Sequence, residues 1–294
     1  MGIFSQVKVT PLPSGIDLQG KTVIITGASA GMGLESTRQL LACNASTVVL
    51  AVRNTSKGEG CKTSLLSDPA VKEYNKNPTV KVMKLDMDDF ESIQRFAKAV
   101  KAELPVVDHL LLNAGIGILK HETSPSGHEH VMQVNYLSNV LLILELLPQL
   151  EASAATTGAP SRITWVGSRR HSQSTLANKA PVQPGETVIG HMDDPKNFFP
   201  FQNYNDTKLL CAMFLYELAP RLEKNKIVFN MVCPGMVDTA MSDVLPIYLR
   251  IPVNIMKTIR ARPVEHGAWL ILNAMLVAGP ESHGEFMFDK TIQP

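Results

Sequence analysis

Tyr204 and Lys208 stand four residues apart in the stretch Y-N-D-T-K. On a helix that spacing sets both side chains on one face. A phenol beside an ammonium is a pair that can pass a proton. A free phenol titrates near about 10, too high to do so unaided near neutrality. The same pair is also common on solvated helix surfaces, so the chemical reading depends on the rest of the chain.

A second group of residues could hold an anion. The stretch Thr26-Gly-Ala-Ser-Ala-Gly-Met-Gly33 carries glycines at 27, 31 and 33. Glycine lets the backbone turn sharply and approach a pyrophosphate, whose charge then sits at a helix N-terminus. The spacing G-x-x-x-G-x-G differs from the usual G-x-G-x-x-G, but the turn follows a strand and opens a helix, as such a turn requires. Further on, an NAD-preferring site carries an acid for the ribose 2′-hydroxyl. This chain has Ala51-Val-Arg53 there, with Lys57 close behind. Arginine pairs with a 2′-phosphate through charge-assisted bonds, so the expected cofactor is NADP(H).

The elements that must position these residues alternate. Apolar, β-branched runs at 22–26, 47–52, 79–85, 108–112, 162–166, 227–232 and 285–288 read as strands. Helical patterns run to about residue 43, from 55, and over 88–102, 126–150, 204–222 and 264–276. The order predicts an α/β fold: a single Rossmann-type, doubly wound parallel sheet of about seven strands with helices on both faces. One domain is expected over 21–294, after a leader at 1–20. Two stretches break the alternation: an insertion at 169–203, rich in Pro, His, Ser and Asn, and an apolar segment at 240–263 interrupted by Pro246 and Pro252. Both follow strands, where open α/β sheets bind ligands, and the apolar one reads as a substrate lid.

Composition narrows the function further. A 294-residue chain with 45% hydrophobic and 19% charged residues can bury a large core. A net charge of +1 gives no pull toward nucleic acid or acidic membranes. Cys43, Cys61, Cys211 and Cys233 show no C-x-x-C spacing and read as reduced thiols of a cytoplasmic protein. No apolar run reads as a transmembrane segment; the best candidate, 140–147, is broken by Glu145 and Pro148. The sequon at Asn205 would set a glycan beside Tyr204, which argues against secretion if Tyr204 is catalytic. His128-Glu-His130 lacks a third ligand, and its histidines do not share a helix face, so no metal is expected.

Taken together, T-G-x-x-x-G-x-G at 26–33, Asn113-Ala-Gly115, Ser168, Tyr204-x-x-x-Lys208 and Pro234-Gly235 occur in one family's order. The chain resembles the short-chain dehydrogenase/reductase family over roughly residues 18–290. Through A-V-R-N, K-G-E and the long Ser168–Tyr204 separation it is most similar to the retinol-dehydrogenase-like branch and its fungal secondary-metabolism relatives.

The resemblance implies roles position by position. Gly27, Ser29, Ala30, Gly31, Met32 and Gly33 would hold the pyrophosphate, and Arg53 the 2′-phosphate. Asp86, with Met87, would meet the adenine, and Asn113, Ala114 and Gly115 the adenine ribose. Pro234, Gly235, Val237 and Thr239 would cradle the nicotinamide. Asn135, Ser168, Tyr204 and Lys208 match a catalytic tetrad. In it Tyr204 passes a proton to the carbonyl oxygen, Lys208 favours the tyrosinate and holds the nicotinamide ribose, Ser168 binds the oxygen, and Asn135 holds a relay water.

The implied reaction interconverts a ketone and a secondary alcohol on a bulky apolar molecule: terpenoid, polyketide, steroid-like or retinoid-like. Met241, Leu245 and Tyr248 in the lid, and Arg169 beside Ser168, are the candidate substrate contacts. An epimerase or dehydratase on the same fold, and a cofactor-binding sensor without turnover, are the alternatives. Helix 204–222 carries Leu209, Leu210, Ala212, Met213, Leu215 and Leu218, more apolar surface than one buried stripe needs. The family often pairs this helix with its symmetry mate, so a homodimer is expected unless the late helix at 264–276 covers that face.

Overall fold

The β-branched runs Thr22–Thr26 (β1), Thr47–Val52 (β2) and Thr79–Lys84 (β3) line up in parallel register, Thr22 against Thr47 and Thr47 against Thr79. In the computed structural model, residues 9–176, 181–239 and 260–293 are described. The remaining strands are His109–Leu112 (β4), Ser161–Val166 (β5), Ile227–Cys233 (β6), Phe286–Phe288 (β7) and Thr291–Gln293 (β8). They form one sheet in the order β3-β2-β1-β4-β5-β6-β7-β8. The pairs from β3 through β7 are parallel, and β8 returns antiparallel on β7.

The helices are Gly31–Ala42 (α1), Thr55–Ser67 (α2), Pro69–Tyr74 (α3), Phe90–Glu103 (α4), His130–Met132 (α5), Ser138–Thr157 (α6), Val188–Asp193 (α7), Gln202–Leu218 (α8) and Val264–Leu272 (α9). Side chains alternate across the sheet with period two. On one face Ile24, Val49, Leu110, Leu112, Ile163, Trp165 and Phe229 pack against α4, α6 and α8. On the other, Val23, Ile25, Val48, Leu50 and Leu111 pack against α1 and α9. Truncating one such fully buried aliphatic side chain to alanine typically costs about 2–5 kcal/mol.

The doubly wound parallel sheet is as expected, with three departures. An eighth strand, β8, closes the C-terminal edge through a tight turn in which Asp289 and Lys290 both take positive φ, 47° and 67°. Two positive-φ residues are what a two-residue hairpin of the sheet's own twist demands. The sequence gives no Asn-Gly or Asp-Gly signal there.

The expected helix over 126–150 begins at His130 and contains a π turn, Gln133–Leu137. Asn139 Nδ2 donates to the carbonyls of Val134 and Asn135, at 3.0 and 3.1 Å, inside the helical ladder. Side-chain intrusion of this kind loosens the i to i−4 pattern. The composite helix 130–157 is long and apolar enough to cross a membrane by length and composition, beyond what its sequence suggested. Its apolar side chains Leu142, Ile143, Leu146 and Leu150 are buried on the sheet.

The helix expected over 204–222 runs from Gln202 to Leu218, and its end tightens to a 3-10 turn, Ala219–Arg221, at Pro220. Most of the expected lid, including Met241, Leu245 and Tyr248, lies outside the described residues.

One imidazole at the start of a central strand makes stability pH-dependent. His109 opens β4 with its Nδ1 buried and without a hydrogen-bond partner among the described residues. Burial pushes its imidazole down from 6.5 to about 4. The unfolded chain therefore binds a proton near 6.5 that the folded chain refuses until about 4. Stability falls as pH drops through that window, by up to roughly 3–4 kcal/mol. His109→Leu is expected to flatten the stability–pH curve between those values and leave it unchanged above pH 7, measured by urea unfolding at a series of pH values.

Candidate active site

Most residues expected to act lie just past the carboxyl end of a parallel strand, while Asn135, Tyr204 and Lys208 come from helices. The glycine turn follows β1, Arg53 follows β2, Asp86 follows β3, Asn113 follows β4, Ser168 follows β5 and Pro234 follows β6. Strand order reverses between β1 and β4, which opens a crevice at that edge of the sheet.

The first wall of the crevice is the glycine turn. Gly27 and Gly31 take positive φ, 66° and 52°. Gly33 has no room for a side chain: a Cβ there would lie 2.5 Å from Asn113 Nδ2 and 2.6 Å from the Gly27 carbonyl oxygen. α1 begins at Gly31 with no side-chain cap and no acid in its first turn. Its leading amides and positive dipole end therefore suit an anion.

Thr26 ties this turn to the opposite wall. Its Oγ1 accepts from the amides of Asn113 and Ala114, both at 3.0 Å, and Asn113 Nδ2 donates to the Thr26 carbonyl at 3.0 Å. Thr239 sits over the turn, its Cγ2 3.7 Å from where a Gly31 Cβ would be. Val237 is buried, bridges to Arg262, and meets Met32 across Gly267 of α9. Gly235 turns with φ 76°. Arg53 is exposed one residue past β2 and makes no ion pair among the described residues. Asp86 Oδ1 accepts from the Asp88 amide at 3.2 Å, and Met87 is buried beside it.

The second group converges around Lys208. Its side chain is only 5% exposed, although lysines are almost never buried unless paired. Its Nζ donates to the Val166 carbonyl at 3.0 Å, two residues before Ser168, and lies 5.6 Å from the Tyr204 ring centroid. No carboxylate of the described residues pairs with it. The 113–117 segment lies against the same group. A Cβ at Gly115 would be 3.2 Å from Asn135 Oδ1 and 3.8 Å from Lys208 Nζ, and one at Gly117 3.7 Å from Tyr204 Cδ2. Tyr204 is half-buried.

Asn135 stands in the π turn, fully buried. Its Oδ1 accepts from the Ile116 amide at 2.8 Å, and its Nδ2 donates to the Ile116 carbonyl at 2.9 Å and to Thr207 Oγ1 at 3.3 Å. Its own carbonyl accepts from Asn139 Nδ2 and from Cys211 Sγ at 3.4 Å. Burial pushes the Cys211 thiol up to about 12, so it stays protonated and donates. The side chain expected to hold a water is thus engaged with backbone and Thr207, where it fixes the 115–117 segment.

Ser168 caps a 3-10 turn, Arg169–Gln173, its Oγ accepting from the Arg170 amide at 3.3 Å. Arg169, considered for substrate, has its guanidinium 4.4 Å over the Phe288 ring on β7. His128 of the possible metal pair bonds Asp193 instead, at 2.8 Å, and so docks the insertion onto the 120s loop.

Sequence reasoning missed several residues that hold this arrangement. Thr26 and Thr207 lie inside the motifs T-G-x-x-x-G-x-G and Y-N-D-T-K, whose patterns assign them no task. Asn205 and Asp206, between the Tyr and the Lys, are buried and bond to the 3-10 turn and the residues after it. Buried Arg262 pairs with Asp289 at 2.6 Å and donates to the Pro234 carbonyl at 3.2 Å. Nothing in its local sequence singles it out.

Comparison with known proteins agrees with the geometry. The family model for short chain dehydrogenases matches residues 21–173. The short chain dehydrogenase macD of Penicillium terrestre is 62% identical over 98% of this chain and 87% of its own length. A 3-oxoacyl (acyl-carrier-protein) reductase from Agrobacterium tumefaciens, solved with NADP bound, superposes with a TM-score of 0.68 at 19% identity, over 93% of this chain and 94% of its own. The NADH-dependent reductase A1-R′, solved with NAD, gives 0.63 at 20% identity, over 92% and 95%. These two likenesses concern the fold. The family match and the identity to macD are of another order, and the chain belongs to the short-chain dehydrogenase/reductase family.

Proposed function

We propose that the protein is an NADP(H)-dependent oxidoreductase interconverting a ketone and a secondary alcohol on a bulky apolar small molecule. The observation that carries this reading is the buried Lys208 ammonium, unpaired by any carboxylate of the described residues and set beside the Tyr204 ring at the carboxyl end of β5. An uncompensated buried cation is expensive unless it acts on something. Here it stands beside the Tyr204 ring, where it can hold a hydroxyl-bearing ligand in the crevice.

The crevice also fits a nicotinamide dinucleotide. The uncapped start of α1 and the side-chain-free surface at Gly27 and Gly31 suit a pyrophosphate. Gly235 and Thr239 flank the same edge. The cofactor, when bound, supplies the hydride. In the reducing direction the Tyr204 hydroxyl gives its proton to the carbonyl oxygen as the carbon is reduced. Ser168 Oγ already accepts from Arg170, which leaves its proton to donate to that same oxygen and stabilise developing charge. Lys208 stands beside the phenol ring, and Asn135 keeps the 115–117 segment against both. Oxidation of the alcohol runs the same transfers backward.

The apolar substrate class rests on the composition of the 240–259 stretch, rich in Ile, Leu, Val and Met. The complete set of Asn135, Ser168, Tyr204 and Lys208 favours redox over the epimerase and dehydratase readings, and the presence of both Tyr204 and Lys208 argues against a sensor without turnover.

Leu144 on α6 and Met213 and Tyr216 on α8 are exposed at 49%, 54% and 51%. The late helix α9 does not cover them, because it packs on α1 across the sheet. We read this face as a two-fold contact between copies of the chain. Light scattering over a concentration series is expected to give a dimer, and a monomer throughout would remove that reading.

Cofactor choice rests on Arg53. Losing one charge-assisted phosphate contact costs about 1.5–3 kcal/mol. Arg53→Ala is therefore expected to raise the NADPH Kd roughly ten- to hundredfold and to spare NADH. Fluorescence titration tests this, and equal wild-type affinity for the two cofactors would refute it.

Tyr204→Phe is expected to keep the fold and NADPH binding while slowing turnover about 10²–10⁴-fold. Lys208→Ala is expected to match that loss and also weaken cofactor binding. Ser168→Ala should slow turnover alone. Stopped-flow hydride transfer with a ketone panel provides the measurement. Wild-type rates in Tyr204→Phe would reduce Y-N-D-T-K to a helix face.

A further inference from the structure

Ser168 and Tyr204 are separated by a long excursion of chain that begins at the 3-10 turn 169–173. For a serine and a tyrosine to meet one substrate oxygen, the start of that excursion must be held against α8. The structure shows what holds it. Asp206 is 4% exposed and accepts three bonds from the residues just after the turn: Ser174 Oγ at 2.6 Å, the Thr175 amide at 2.7 Å and Thr175 Oγ1 at 3.0 Å. Asn205 is fully buried, and its Oδ1 accepts from Arg170 Nε at 2.8 Å. The Arg170 amide in turn donates to Ser168 Oγ. Both ends of the turn are therefore bonded to the two residues that follow Tyr204.

No cation of the described residues pairs with the Asp206 carboxylate. A buried carboxylate held by hydrogen bonds alone is a costly way to pack a loop. A fully satisfied polar network of this kind fixes a single arrangement, which loose apolar packing would not.

We infer that Asp206, assisted by Asn205, is a positioning residue that sets the Ser168 hydroxyl relative to Tyr204 by clamping residues 169–175 to the catalytic helix. Its catalytic consequence rests on the reductase reading above; the clamp itself does not. The residues between the Tyr and the Lys then tune how the long-insertion arrangement is assembled.

The test pairs two measurements on the full chain: hydrogen–deuterium exchange with NADPH present, and steady-state kinetics on a ketone panel. Asp206→Ala is expected to speed exchange at 169–176 and leave β5 and the glycine turn unchanged. It is also expected to lower kcat roughly 10- to 100-fold with NADPH affinity held within about twofold. Asp206→Asn, which keeps an acceptor oxygen, should restore most of both. Should Asp206→Ala fail to fold, the double variant Ser174→Ala/Thr175→Val cuts the two side-chain bonds from the other side, keeps only the Thr175 amide bond, and leaves the catalytic helix intact; it is expected to speed exchange at 169–176 and lower kcat in the same direction.

Unchanged exchange at 169–176 would overturn the clamp. Faster exchange with unaltered kcat would overturn its positioning role. A wild-type protein that reduces no ketone of the panel sinks the reductase reading, and the clamp is then decided by exchange alone.

Discussion

The contact on which the site most depends is the one between Thr26 and Asn113. It spans the point where strand order reverses, and it satisfies backbone groups of both strand ends at once. A reversal of strand order leaves two loops diverging to opposite faces, and the crevice between them has a defined width only if the strand ends are tied. Gly33 shows how tight the tie is, since not even a methyl group fits between α1 and Asn113. The glycine turn, the 113–117 segment and the groups that lean on that segment inherit their positions from this junction.

From the junction outward, order is transmitted through buried polar groups. Asn135 passes it from the 115–117 segment to Thr207 on α8, and the π turn presents Asn135 while the rest of its helix stays on the core. Lys208 passes it to the end of β5. Each of these groups is almost fully sheltered from water, where an unmade hydrogen bond costs about 1–3 kcal/mol. The site is therefore held by penalties for disorder as much as by attractive contacts.

Much of this was legible in the sequence, because its signals are local. A β-branched run of five or six residues, a glycine turn behind it and a helix after that can each be read from a short window. The order of windows points to the sheet, to Ser168 and Asn113 past strand ends, and to the helix that carries Tyr204 and Lys208. The missing pieces depend on distance in space. Asp206 finds its partners some thirty residues earlier in the chain. Arg262 acquires meaning only when Asp289 and Pro234 arrive beside it. The π turn arises from Asn139 reaching back into its own helix, a choice that helix periodicity does not encode. The eighth strand is three residues long, too short for a period-two pattern to register.

The pairing of Val237 with Arg262 has a consequence for how such a protein can change. The chain runs out from that bridge at residue 239 and is back at residue 260, so the two ends of the intervening stretch are joined by scaffold alone. Arg262 braces the neck from behind, against Asp289 and the Pro234 carbonyl. Closing a loop whose ends are already fixed grows more costly only slowly with length, by about 0.6 kcal/mol per doubling. Residues 240–259 can thus drift in sequence or size while the neck, the sheet and the proton-handling residues stay as they are. The neck works as a fixed port: chain grafted between residues 239 and 260 can be exchanged without disturbing the sheet behind it.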